Sequence, residues 1–278
     1  MRPTALVVGH VTLDAAPTGF VPGGSVWYGA RTLRALGARP WALTAAGPDF
    51  PPLGPGWRCG AATSTTRFAN SYDAEGGRVQ ILLSLAEPIE VQALPPQWRT
   101  PALAFLAPVL GDFEPGPFVA ALAGCPLVGA GLQGWLKHAR PGGKVLHGPV
   151  GVDPERFRGL HVAFLSEEDL AGRLDWLDAL CAVVPLVYLT RGRHGATMFG
   201  RDGARDIPAC AAEEVDPTGA GDTFAAATLL ALAQGKGPVE AARQGAAAAS
   251  VVVEHRAAAP LKALRRSAER LERPREVA

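Results

Sequence analysis

From Leu103 onward short apolar runs alternate with helix-patterned segments, and this alternation constrains the fold more than any other feature of the chain. Runs at Leu103–Val109, Pro126–Val128, His161–Leu165, Leu186–Thr190, Ala196–Gly200 and Ala204–Ile207 have strand length and apolar or β-branched content. Helical spacing appears at Pro117–Leu122, Glu167–Leu180, Gly219–Ala233, Val239–Val253 and Leu261–Leu271. Such a pattern predicts a mostly parallel sheet with helices on both faces. The N-terminal part agrees: Thr4–Gly9 reads as a buried strand, Ser25–Leu36 as a helix and Pro40–Gly47 as a second strand. Pro48 to Gly60 is rich in Pro and Gly and reads as loop.

Thr63–Asn70 and Arg78–Leu85 depart from this rule. Both alternate polar and apolar residues around the turn-forming Asp73-Ala74-Glu75-Gly76-Gly77. They predict an antiparallel hairpin with Phe68, Val79, Ile81 and Leu83 on its apolar face. Within an α/β chain such a ribbon is an appended lid outside the main sheet. Its apolar face suits either a cover over a pocket or a homodimer contact.

Composition removes several classes of function. The 27 basic and 26 acidic residues are scattered, which gives no electrostatic reason to expect nucleic acid or a membrane surface as partner. No apolar stretch reaches the ~20 residues of a membrane span, and Met1–Gly9 lacks a signal-peptide layout. Cys59, Cys125, Cys181 and Cys210 form no C-x-x-C pair and fit reduced thiols in a cytoplasmic protein. The six histidines are dispersed. Lysine is rare against arginine: only Lys137, Lys144, Lys236 and Lys262 occur.

The chemistry concentrates in Asp216-Pro217-Thr218-Gly219-Ala220-Gly221-Asp222-Thr223-Phe224. Two glycines bracket an alanine, so the backbone can turn tightly and expose its N–H groups just as an apolar helix begins. Amides at a helix start, aided by the helix dipole, make an anion site. Asp222 falls in that first turn. A carboxylate beside an anion cradle is suited to take a proton from a hydroxyl while the cradle holds the phosphoryl group receiving it. The plainer reading is a turn followed by a capping aspartate.

The nine-residue string resembles the signature of the ribokinase-like, or PfkB, family of carbohydrate kinases. The resemblance implies a three-layer α/β/α sandwich, a single kinase domain over residues 1–278, and a small β lid formed by about 10–24 and 63–90. It implies an ATP- and Mg²⁺-dependent phosphotransferase acting on a hydroxyl of a sugar or polyol. Asp222 would be the base, the amides of Gly219, Ala220 and Gly221 the anion hole, and Asp216 and Thr218 the neighbourhood of a monovalent cation such as K⁺. Further matches extend from near residue 5 to near residue 255. Gly9-His10-Val11-Thr12-Leu13-Asp14 is similar to the first strand with its substrate-binding Asp14, and Gly23-Gly24 to the N-terminal di-glycine. Thr190-Arg191-Gly192-Arg193-His194-Gly195 resembles a strand-turn for nucleotide phosphates. The helix carrying Gly245, Ala248 and Ser250 would flank the adenine.

The chain also departs from the family pattern. Ser25-Val26-Trp27-Tyr28 stands where many sugar kinases have a substrate-contacting Asn, and Tyr28 offers either a ring face for substrate or core packing. Ser166-Glu167-Glu168-Asp169 replaces the magnesium-linked Asn-x-x-Glu. Ser166 with Asp169 is a good capping box, and Glu168 or Asp169 is alternatively placed to order water around Mg²⁺. The hairpin, from which Arg67 or Gln80 would reach substrate, is similar to a branch containing plant-type inositol kinases. A cyclitol such as myo-inositol is therefore the favoured acceptor.

Three rivals follow. A nucleoside kinase of the same fold would use Trp27 or Tyr28 as a stacking slot. A non-catalytic sugar-binding regulator would keep the pocket and lose transfer. Gly129-Ala130-Gly131-Leu132-Gln133-Gly134 fits a dinucleotide fingerprint, but Pro141-Gly142-Gly143 cuts short the helix that should follow it.

Overall fold

The computed structural model describes residues 2–72, 78–256 and 258–272. The strands in chain order are β1 (Thr4–Val8), β2 (Thr12–Ala16), β3 (Gly19–Gly23), β4 (Arg39–Ala46), β5 (Trp57–Ala61), β6 (Thr66–Tyr72), β7 (Arg78–Ser84), β8 (Leu103–Leu106), β9 (Val128–Gly131), β10 (Lys137–Ala139), β11 (Val145–His147), β12 (Val162–Ser166), β13 (Leu186–Thr190), β14 (Ala196–Gly200) and β15 (Gly203–Ile207). The helices are α1 (Ser25–Ala35), α2 (Pro115–Ala121), α3 (Gln133–Leu136), α4 (Glu167–Leu170), α5 (Leu174–Val183), α6 (Ala220–Ala233), α7 (Pro238–Val253) and α8 (Leu261–Arg265).

Nine strands form one sheet in the order β15-β14-β13-β12-β9-β8-β1-β4-β5. It is parallel from β13 through β5, and antiparallel where β14 and β15 add to one edge. The central strand shows why. Ala5, Leu6, Val7 and Val8 are all fully buried, so both faces of β1 must be covered. Side chains alternate across a strand. Leu6 and Val8 join a core with Phe118 of α2 and Trp176, Leu177 and Leu180 of α5. Ala5 and Val7 join a second core with Val26 and Leu33 of α1 and Phe224, Ala226 and Leu230 of α6. Two cores on one sheet make the three-layer α/β/α sandwich that the alternation predicts.

The chain leaves β1 toward β4 and β5 on one side and returns as β8 on the other. Ligands of open α/β sheets bind at the carboxyl ends of the strands beside such a reversal. Backbones approach closely there: a Cβ on Gly9 would stand 2.1 Å from the Ala107 carbonyl oxygen.

A second sheet, ordered β3-β2-β6-β7, rises from the same end. It is antiparallel except for the parallel β2–β6 pair. Its root is held by buried polar groups. Asp112, 1% exposed, accepts from the amides of His10 (2.7 Å), Val109 (3.0 Å) and Leu110 (2.8 Å). The His10 ring, itself buried, meets the Glu87 carbonyl and the Thr66 hydroxyl. A stranded buried donor costs about 1–3 kcal/mol, so this cluster fixes where the second sheet leaves the first.

Several expectations need correction. The helix expected over Glu167–Leu180 is two, because Ala171 (φ 48°) and Gly172 (φ 77°) turn left-handed between α4 and α5. The segment expected as loop before Gly60 contains β5, a half-covered edge strand whose Trp57 packs on Trp27. The last helix ends at Arg265 and continues as a 3₁₀ turn over Ser267–Glu272. Gly129 and Gly131 lie inside β9, where a Cβ on Gly129 would strike Leu229 of α6 at 2.5 Å. The dinucleotide fingerprint is thus a strand that lets a helix approach. The turn Asp73–Gly77 lies outside the described residues. The hairpin's apolar face also differs: a register shift at Arg67/Phe68 sets Phe68 opposite Leu82 and Asn70 opposite Gln80. Phe68 packs inward on Val109, Leu110 and Val145, away from the face of Val79, Ile81 and Leu83.

Candidate active site

Helix α6 is apolar on every side, and Thr223 through Ala231 are buried. Such a helix belongs in the middle of a protein. Its first turn is the partly exposed end, with Gly219 and Asp222 half-buried and burial complete from Thr223 to Ala231. Gly219 supplies the left-handed residue that starts it (φ 80°, ψ 1°). A Cβ at Gly219 would lie 2.4 Å from the Tyr28 ring, so both the dihedral and the close approach require glycine. Gly221 is exposed, and a Cβ there would meet only open space.

The first amides of a helix lack intrahelical partners. The Ala220 amide is an exception, because it donates to the Pro217 carbonyl at 3.1 Å. This corrects the expectation that all three amides form the cradle; Gly219 and Gly221 remain to build it. The turn before them is fixed by Asp216, whose carboxylate accepts from the Thr218 amide at 2.9 Å, and by the Val215 and Asp216 amides on the Val253 carbonyl.

Asp222 sits one residue past the cradle. Burial pushes its carboxyl up to about 6; a hydrogen bond from the buried Ser25 hydroxyl and the charge of Lys137 restrain the rise, while Asp169 and Asp14 add to it. Ser25, at the start of α1, is its hydrogen-bond partner, and Asp14 of β2, Lys137 of β10 and Asp169 of α4 lie within electrostatic reach. An aspartate raised toward neutrality yet still ionised at pH 7 is a competent proton acceptor.

Asp14 belongs to the same place. It lies on β2, accepts from the Thr12 hydroxyl at 3.1 Å, and opposes ionisation of both Asp222 and Tyr28. A Cβ on Gly23 would stand 2.2 Å from its Oδ2, and one on Gly24 (φ 92°) would stand 2.5 Å from the His10 carbonyl. The di-glycine thus lets the start of α1 pass against the Asp14 strand. Tyr28, 5% exposed, lays its ring on Gly219. Burial first, then Asp14, Asp222 and Asp216, raise its phenol well above the usual tyrosine range. Its ring backs the cradle and is closed to a substrate face, while its hydroxyl shares the carboxylate cluster.

Residues 159–263 match the model of the pfkB family carbohydrate kinases, a span that contains both the cradle and Asp222. The C-terminal part of this chain is thus similar to the pfkB family carbohydrate kinases, and the whole chain has a ribokinase-like fold. Among curated relatives, the bifunctional protein HldE of Mesorhizobium japonicum is 35% identical over 171 residues, 52% of this chain and 34% of that protein. Inositol 3-kinase of Arabidopsis thaliana is 34% identical over 90 residues, 32% of this chain and 24% of that protein. The chain thus spans about a third or less of the length of these relatives. A solved pyrophosphate-dependent kinase of the ribokinase family, complexed with a pyrophosphate analogue and myo-inositol, superposes with a TM-score of 0.78 at 20% identity, covering 94% of this chain and 98% of that one.

Other residues of the pfkB pattern fall in mixed positions. Thr190 ends β13, its hydroxyl donating to the Leu165 carbonyl, and Gly192 (φ 51°) follows in open space. Gly195 is packing: its Cβ would lie 2.1 Å from the Ile207 carbonyl oxygen. Gly245 and Ala248 need the firmest correction as adenine contacts. A Cβ on Gly245 would meet Thr228 Oγ1 at 2.2 Å and the Phe224 carbonyl at 2.8 Å, and Ala248 is fully buried. These residues let α7 seat on α6. Gly245→Ala should accordingly lower the unfolding free energy by about 1–3 kcal/mol through overpacking, measured by urea denaturation. Unchanged stability with a weakened donor KM would restore the nucleotide role.

Arg67, expected to reach substrate, holds Asp49 at 2.5 Å and covers the Phe20 ring at 4.8 Å. Asp169, expected near magnesium, is 3% exposed and closes a capping box with Ser166. Its Oδ2 accepts from the Ser166 amide and hydroxyl, and its Oδ1 meets His147 Nδ1 at 3.3 Å. Among the described residues no group of three His, Cys, Asp or Glu is placed to hold a metal. Glu168, beside His147 Nε2 at 3.4 Å, stays exposed, as does Glu167.

The sequence reading did not single out Ser25 or Lys137, and it assigned Gln80 to substrate. Lys137 had one signal, as a lysine in a chain that otherwise prefers arginine. Ser25 had its place directly after the di-glycine.

Proposed function

We propose that this protein transfers a phosphoryl group to a hydroxyl of a small polyol, with Asp222 as the base. One observation carries the reading: two glycine amides at the start of α6 stand beside a carboxylate that burial holds near 6. Asp14 and the backbone at Gly24 would hold acceptor hydroxyls. As the acceptor oxygen attacks phosphorus, its proton passes to an Asp222 oxygen. The new O–P bond forms as the bond to the leaving phosphate breaks, and the Gly219 and Gly221 amides balance charge on the transferred oxygens. Mg²⁺, when bound, supplies charge neutralisation on the donor phosphates. Glu168 would order its water, and the Asp216 turn would neighbour a monovalent cation.

A cyclitol such as myo-inositol is the favoured acceptor, supported by the likeness to a plant inositol 3-kinase and to an inositol-complexed structure. ATP is the expected donor. Inorganic pyrophosphate is a second reading, favoured because α7 presents Gly245 and Ala248 to α6 and not to a base, and because the superposed kinase is pyrophosphate-dependent. The four-stranded sheet would act as a lid within a single kinase domain, excluding water during transfer. Leu83 and Leu85, about half exposed, mark where a homodimer contact would form. Four cysteines without a disulfide fit a cytoplasmic setting.

The test is a ³¹P NMR screen pairing MgATP and magnesium pyrophosphate with cyclitols, aldoses, ketoses and nucleosides. One pair should yield a new phosphomonoester. Folded protein that binds a polyol yet consumes neither donor would instead be a sugar-binding regulator.

A further inference from the structure

We infer that Asn70 is a specificity-determining residue of the acceptor site: its side-chain amino group, aimed by Gln80 and Lys137, gives a hydrogen bond to one hydroxyl of the acceptor and so sets which other hydroxyl meets Asp222. The role rests on the reading of this site as one that receives a polyol, and it adds how the second sheet tells one polyol from another.

Register places Asn70 with Asp14. Residues paired across neighbouring strands share a face, as do residues two apart along one strand. Asp14 of β2 pairs with Phe68 of β6, Asn70 follows Phe68 by two, and Asn70 pairs with Gln80 of β7. All four therefore lie on one face of the second sheet. It is the inner face, because Phe68 packs there on Val109, Leu110 and Val145. With strands about 4.8 Å apart and a rise of about 3.3 Å per residue, Asn70 stands about 8 Å from Asp14, backbone to backbone. A single polyhydroxylated ring fits between the two side chains. Asn70 keeps part of its surface exposed, whereas Gln80 is 8% exposed. Asn70 is thus the member of the pair that a ligand can touch.

Donor and acceptor chemistry fixes which way each amide points. An ammonium group has only donors, so the Gln80 atom that Lys137 Nζ meets at 3.1 Å is Oε1. Gln80 then turns Nε2 toward Asn70, and the atom it meets there at 3.1 Å is Oδ1. Asn70 is left presenting amino hydrogens at the end of the chain of bonds; any flip along it would set donor against donor. The start of the chain is held as well. The β10–β11 ribbon that carries Lys137 joins β7, where the Leu82 amide donates to the Gly143 carbonyl at 2.8 Å and Ile81 bridges Lys144.

A buried amide in apolar surroundings is costly unless it is bonded, and Phe68, Leu82 and Val145 make the rest of this face apolar. The oriented pair brings what the carboxylates of the site lack. A carboxylate accepts hydrogen bonds, an amide amino group gives them, and a hydroxyl does both. A polyol lying between Asp14 and Asn70 gives protons to the first and takes them from the second. A site built to hydrogen-bond one hydroxyl rejects an isomer that moves it, so the stereochemistry of the ring is read by this pair.

The experiment titrates myo-inositol, scyllo-inositol, D-chiro-inositol and D-ribose into the folded chain by calorimetry with no donor present, for wild type, Asn70→Leu, Asn70→Asp and Gln80→Leu. Wild type should prefer one of these polyols, and Asn70→Leu should shrink that preference about tenfold, the loss for one good hydrogen bond. Asn70→Asp keeps the size and the oxygen that Gln80 meets but removes the donors, and should shrink it as much. Gln80→Leu should shrink it less, since the amino group is then present but not aimed. Where the preferred polyol is phosphorylated, NMR of the product should place phosphate on one hydroxyl in wild type and on more than one in the Asn70 variants. A preference unchanged in Asn70→Asp overturns the role, and decides it even if Asn70→Leu does not fold. Phosphate on the same single hydroxyl in both Asn70 variants overturns the claim on the hydroxyl attacked. Wild type that binds none of the four overturns the whole. Calorimetry needs no turnover, so failure of the phosphotransfer reading would appear separately, as selective Asn70-dependent binding with neither donor consumed.

Discussion

Asp222→Asn should retain its fold, lose at least roughly 10²–10⁴-fold in turnover, the range for a positioned proton acceptor, and become more stable. The two effects share one cause. Burial lifts the Asp222 carboxyl from 3.8 to about 6. Its folded pKa lies above its unfolded one, so the unfolded chain releases the proton first as pH rises. Between about pH 4 and 6 the native state therefore loses stability, and above 6 it carries the full cost of a poorly solvated charge. That cost is on the order of 2–3 kcal/mol at most. Asparagine removes it at neutral pH. Wild-type kcat/KM should also fall as pH drops through about 6, since the base is then protonated. Denaturation at pH 7.5 and a pH–rate profile check both halves. Near-wild-type turnover would remove Asp222 as the base; a variant less stable than wild type would show that the carboxylate is well solvated.

Gly219→Ala carries the second large effect. The left-handed backbone at φ 80° costs a non-glycine residue about 1–2 kcal/mol. The new methyl would also stand 2.4 Å from a Tyr28 ring carbon, and Tyr28 is buried and cannot swing into solvent. Either the ring or the cradle must shift. Loss of one aligned donor at such a centre typically costs 10²–10³-fold in turnover, and that loss is expected here. Tyr28→Ala should cost less stability in the Gly219→Ala background than in wild type, because it relieves the collision, and should not restore turnover, because the dihedral strain remains. Urea denaturation and steady-state rates of the single and double variants check this; stability unchanged by Gly219→Ala would mean that the ring does not brace the turn.

Where packing alone sets the structure, the sequence was a good guide. Runs such as Leu103–Leu106 and Val162–Leu165 are apolar without alternation because both faces are covered, so their strands could be placed within a few residues. The string Asp216–Asp222 carried the site because glycine spacing and a carboxylate are local properties. What escaped is non-local. Gly245 reads as small, but whether it faces a ligand or Thr228 depends on how α7 crosses α6. Arg67 reads as a solvent-facing charge until the fold brings Asp49 and Phe20 beneath it. The inward turn of Phe68 depends on one register shift, which period-two patterning does not record. Lys137, Gln80 and Asn70 meet across elements 57 and 10 residues apart in sequence, and no window joins them.

Phosphoryl transfer at this site requires the Gly219 and Gly221 amides to form an anion cradle next to Asp222. The most direct measurement is a ¹H–¹⁵N titration of labelled protein with MgATP and, separately, with magnesium pyrophosphate. Both glycine amides should shift saturably with at least one donor, while the Ala220 amide, held by Pro217, moves less. Saturable donor binding that perturbs other amides and leaves Gly219 and Gly221 unmoved would contradict it.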